Sequence, residues 1–104
     1  MVAIYALIRM AKFYSADLQV ESREIAPANG QAFTFAELYP VLGCDDIEIV
    51  HFDDGRCLLI DGSGKINGKP MNDQATFEAV AANAIMDSDF ISGHAVLCSE
   101  GQLN

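Results

Sequence analysis

Basic residues are scarce in this chain: six Lys and Arg stand against fifteen Asp and Glu, a formal net charge of −9. Duplex nucleic acids are held through clustered cations on phosphates, so direct binding to duplex DNA or RNA is not expected. Cysteine is scarce too, with Cys44, Cys57 and Cys98 odd in number and widely spaced. That excludes a disulfide framework and the paired Cys-x-x-Cys spacing of a zinc site, and it fits a reducing cytosol. Tryptophan is absent. No apolar run approaches the length of a membrane span, so no membrane association is expected. The apolar stretch from Val2 to Ile8 lacks a basic start and runs at once into Arg9 and Lys12, so it does not read as a secretory leader. Met10 is an alternative start.

What is present is ample apolar material: 51% of 104 residues are hydrophobic and only 20% charged, the balance of one folded domain. Residues 1–14 are nearly all apolar and fit a helix or a buried strand equally. From Leu18 to Arg23 apolar and polar residues alternate, which predicts a strand with one wet face. Thr34 and Glu37 have the spacing of a capping box. Phe33 and Leu38 can close a hydrophobic staple over it, and Gly43 supplies a left-handed stop. This predicts a short helix, bent or tightened at Pro40, which cannot donate to Ala36.

Next, Asp54-Gly55 suits a two-residue hairpin turn, and the resulting register pairs Phe52 with Cys57, His51 with Leu58 and Ile49 with Ile60. A turn at Asp61–Gly64 leads to a short strand at 65–67. Asn72 can cap a helix running to about Met86, with Phe77, Val80, Ala81, Ala84 and Ile85 as its apolar stripe. Residues 90–98 read as a final strand. The expected fold is therefore α+β: a small antiparallel or mixed sheet of about five strands with two helices packed on it.

The order of these segments resembles a known family. A strand ending in Asn29-Gly30 is followed by FTFAEL, a helix ending at Gly43, IEIVHFDDGRCLLIDGSGKINGKPMN and FISGHAVLC. This is similar to domain of unknown function 3846, and the resemblance covers residues 18–98 of a single 1–104 domain. Pro40 departs from the pattern, since similar proteins continue the helix there. The resemblance implies no activity, cofactor or catalytic residue. It implies a setting: a small accessory protein of a phage, prophage or conjugative element, working in the bacterial cytoplasm.

Motifs that carry chemistry fall short. Gly62-Ser63-Gly64-Lys65 ends like a phosphate loop, but Leu59 and Ile66 replace its first glycine and its hydroxyl residue. Asp61, Ser63 and Lys65 begin like a calcium loop, but Lys65, Ile66 and Asn72 fill positions that need an oxygen, a glycine and a bidentate glutamate. His51 and His94 are not paired with the cysteines at metal-ligand spacing, and in the expected register His51 and Cys57 lie on opposite faces. No catalytic residue, metal or cofactor is expected. The segment retained as a ligand- or partner-binding candidate is Asn67, Gly68, Lys69, Pro70 and Asn72, where a cation precedes a helix start.

Three readings follow. The first is a non-enzymatic accessory protein that binds another macromolecule, with the acidic surface favouring a basic protein partner. The second is a small-molecule or nucleotide-binding module using residues 67–72. The third is an acidic mimic of DNA that blocks a host nucleic-acid enzyme. A homodimer is expected as well, because a sheet of few strands leaves open edges.

Overall fold

A computed structural model describes residues 10–104. Five strands, β1 (Ala11–Tyr14), β2 (Arg23–Ile25), β3 (Ile47–His51), β4 (Arg56–Asp61) and β5 (Ala95–Ser99), form one sheet. Their order is β2-β1-β5-β4-β3, and every neighbouring pair is antiparallel. Among the described residues two α-helices join the sheet in an α+β fold: α1 (Phe35–Leu42) and α2 (Asp73–Ala81).

The alternation of side chains along the strands splits the core in two. Phe13, Cys57, Leu59, Val96 and Cys98 face one side, with Leu38 and Leu42 of α1. Tyr14, Leu58, Ile60, Ala95 and Leu97 face the other, with Ala75 and Ala79 of α2. The sheet is thus buried between two helices. That is why β4 and β5 are continuous apolar runs rather than alternating ones. β5 is last in sequence yet central in the sheet, wedged between β1 and β4.

The start of α1 forms as its sequence predicts. Thr34 Oγ1 accepts from Glu37 N at 3.3 Å, Glu37 Oε2 accepts from Thr34 N at 2.9 Å, and Gly43 closes the helix at φ 65°. Phe33 and Leu38 are both buried in the same core. The helix runs through Pro40 to Leu42.

Of the N-terminal stretch, which the sequence leaves as helix or strand, Ala11–Tyr14 form a strand, and residues 1–9 lie outside the described residues. Several other expectations need correction. The second strand starts only at Arg23, because Leu18 and Val20 sit in an exposed hydrogen-bonded turn. The hairpin slips by one residue, pairing His51 with Cys57 and Ile49 with Leu59. Phe52 N donates to Arg56 O at 2.9 Å, leaving a three-residue loop in which Gly55 alone takes positive φ, 89°. Residues 65–67 form turns, not a strand.

The second helix ends at Ala81, before a left-handed Asn83 at φ 56°. Its buried face is Ala75, Thr76 and Ala79, while Phe77 is 70% exposed. Small residues let the helix lie close on the sheet, and that contact outweighs the larger stripe expected from size alone. The last strand begins at Ala95 rather than residue 90.

Candidate ligand-binding cleft

The retained segment begins in the turns after β4. Gly68 takes φ 71°, and Lys69 N donates to Gly64 O at 2.9 Å, so the chain doubles back before α2. Asn67 and Pro70 are exposed, whereas Asn72 is fully buried. Asn72 Oδ1 accepts from Ala75 N at 3.0 Å, capping α2. Its amide donates to Tyr14 O at 2.9 Å and to Gly93 O at 3.0 Å. Both amide hydrogens and Oδ1 are engaged in tying β1, α2 and the β5 approach together, and Asn72 does not line the clefts beside it.

Lys69 is the pivot. Its Nζ lies 2.6 Å from Asp61 Oδ2 and donates to Gly43 O at 2.8 Å. Asp61 is 5% exposed and also accepts from Ser63 N at 2.8 Å. Burial pushes its carboxyl up, but the Lys69 and Ser63 bonds outweigh that and hold it below the usual value. Gly93 makes room for the lysine stem: a Cβ there would sit 3.1 Å from Lys69 Cδ.

On one side of Lys69 opens a cleft of about 570 Å³, bounded by residues 16–19, Leu42, Gly43, Pro70, Gly93 and His94. A second, of about 480 Å³, lies on its other side among Tyr39, Pro40, Cys44, Asp45, Asp61 and Asn67. His94 Nδ1 accepts from Ala16 N at 3.1 Å, anchoring the 16–19 turn and placing the neutral ring's proton on Nε2. Burial, then the Lys69 charge, lowers the His94 pKa, against an opposing pull from Asp17. The cleft thus combines apolar walls with two donor-bearing side chains, Lys69 and His94.

Other tempting residues separate. The corrected register puts His51 opposite Cys57, but His51 is exposed, with Nδ1 2.6 Å from Glu100 Oε1. Cys57 is buried, with Sγ 3.8 Å from Cys98 Sγ. Among the described residues no group of three or more His, Cys, Asp or Glu side chains is placed to hold a metal. The glycines of the Gly62–Lys65 turn serve packing, since a Cβ on Gly64 would meet Ser92 O at 2.7 Å. Lys65 instead pairs with Asp89 over the Phe90 ring.

Of the five residues singled out in the sequence, Lys69 and Pro70 border the cleft; Asp61 as the partner of Lys69, His94 and residues 16–19 were not among them. Together with Lys69-Pro70 these come from four separated stretches of chain. One signal was legible: Gly93 before His94, a glycine that takes φ 86° beside the lysine.

Residues 14–103 match the family described as Domain of unknown function (DUF3846), and the chain belongs to it. No curated protein and no solved structure matches the chain. Among the described residues no helix is long and apolar enough to cross a membrane.

Proposed function

We propose that this protein is a non-enzymatic binding module whose ligand site is the cleft between the 16–19 turn and Lys69-Pro70. The carrying observation is that one concave site of about 570 Å³ joins apolar walls to the Lys69 ammonium and the His94 ring. Pockets of that size and mixture are the usual form of small-ligand sites. The ligand class favoured is a compact molecule with a flat or apolar body and an anionic edge, a nucleotide being the first to test. A binding role also accords with the structural employment of the conspicuous ionisable groups. Asp61 holds Lys69, Glu37 caps α1, Asp54 bonds Arg56, and His94 anchors Ala16. The proposed setting is a phage, prophage or conjugative element acting in the bacterial cytoplasm.

The net charge of −9 favours a second reading, in which the acidic surface docks on a basic protein, a DNA-like surface being one form of it. A thermal-shift panel of nucleotides separates the two. The cleft reading expects a concentration-dependent rise in melting temperature that Leu18→Asp weakens, because a carboxylate on the exposed wall of the cleft repels the anionic edge. No shift with any nucleotide, together with salt-sensitive capture by a basic protein surface, contradicts it.

A further inference from the structure

The two edges of the sheet are unlike. β2 is three residues long and is followed by Pro27, which shortens the edge it could offer. β3 is five residues long, with no proline, lysine or arginine, and has no strand on its outer side among the described residues.

The direction of its backbone groups follows from two hydrogen bonds. Phe52 N donates to Arg56 O at 2.9 Å, and Gly62 N donates to Asp46 O at 2.7 Å. In an antiparallel ladder, bonded pairs alternate with unbonded ones. The residues between them, Glu48 and Val50, therefore turn their N–H and C=O groups toward β4. Ile47, Ile49 and His51 turn theirs outward.

We propose that two copies of this chain pair through these outward groups, antiparallel, about a two-fold axis at Ile49. This register is self-complementary. Ile49 faces its own copy and Ile47 faces His51, so all three outward donors and all three acceptors on each strand are used. It also keeps like faces together. On the α1 side Ile49 meets its counterpart and Ile47 packs beside His51, and on the α2 side Val50 faces Glu48. A small pocket of about 120 Å³ lies beside the edge, bordered by Glu48, Val50, Lys65, Ile85, Asp89 and Phe90. Two acidic copies repel, so the pairing should strengthen with salt.

Sedimentation equilibrium at micromolar concentration, at low and high salt, is the test. The expected result is a dimer whose fraction rises with salt, and a monomer at both salts overturns the proposal. Ile49→Pro removes an outward N–H while sparing the β3–β4 bonds, so it should leave a folded monomer by circular dichroism. A folded dimer in that variant overturns the proposed register. Residue-resolved amide exchange on the unmodified protein needs no variant to fold. Exchange at Ile47, Ile49 and His51 should slow at least tenfold between dilute and concentrated samples, while Glu48 and Val50 stay protected throughout. Concentration-independent exchange at the three outward amides overturns the proposal.

Discussion

Lys69 Nζ lies 2.6 Å from Asp61 Oδ2, and this pair joins the end of β4 to the loop that enters α2. Asp61 is almost fully buried, while the Lys69 side chain keeps 27% of its exposure. The contact therefore removes the carboxylate from water more completely than it does the ammonium, and the carboxylate depends on its partner.

Lys69→Met should destabilise the fold by about 3 kcal/mol at neutral pH, the lower end of the range for orphaning a buried charge. The pH dependence should reverse. In the native protein the Asp61 carboxyl is depressed from 3.8, so its stabilisation is full above that value and is lost as pH falls through the folded value. Without Lys69, burial is opposed only by the weaker pull of the Ser63 N–H bond and raises the folded value, so the variant should lose stability as pH rises from about 4. Denaturant melts across pH 3–8 check both signs.

Asn72→Asp keeps the cap on α2 but replaces the two N–H donors of the amide by one carboxylate oxygen facing both Tyr14 O and Gly93 O. We expect a loss of about 2–4 kcal/mol at neutral pH, shrinking on acidification as the new carboxyl takes up a proton. Equal losses at pH 4 and pH 7 would show that those carbonyls do not need the amide.

Thr34→Ala should cost about 0.5–2 kcal/mol by removing the side-chain half of the capping box. The backbone bonds from Thr34 and Ala28 to Glu37 hold its carboxyl below the usual range, so the Glu37 contribution should fade as pH falls through that lowered value. An unchanged denaturation midpoint in Thr34→Ala would contradict the cap.

His94 should act as a latch on the 16–19 turn. Its pKa is lowered from 6.5 by burial and by Lys69, so the neutral-ring contribution is full above 6.5 and is lost as pH falls through the folded value. Protonation also turns Nδ1 from acceptor to donor and breaks the bond from Ala16 N. The Ala16 amide should then lose its protection relative to the intrinsic exchange rate below that value, and His94→Phe should show low protection at every pH.

Local signals were readable where both partners lie within one turn of chain. Thr34, Glu37 and Gly43 announced α1, and Asn72 announced the start of α2, because caps are satisfied by residues three or four positions away. The hairpin was located but slipped in register. Asp54-Gly55 serves a two-residue loop or a three-residue loop closing on glycine, and the choice rests on the Phe52–Arg56 bond. The buried face of α2 was hidden because Ala75 and Ala79 matter for closeness of approach, not for size. The cleft was half legible for the same kind of reason. Lys69 stood out as a cation in an acidic chain, while Asp61 and His94 reach it only through the order of the sheet.

The most direct measurement is a ¹H–¹⁵N correlation titration of the protein with a panel of mononucleotides. The account predicts saturable shifts, with at least one nucleotide, at Ala16, Asp17, Gln19, Gly43, Lys69, Gly93 and His94, the residues that bound the cleft on both sides. Shifts centred elsewhere, or none with any nucleotide at millimolar concentration, would contradict it.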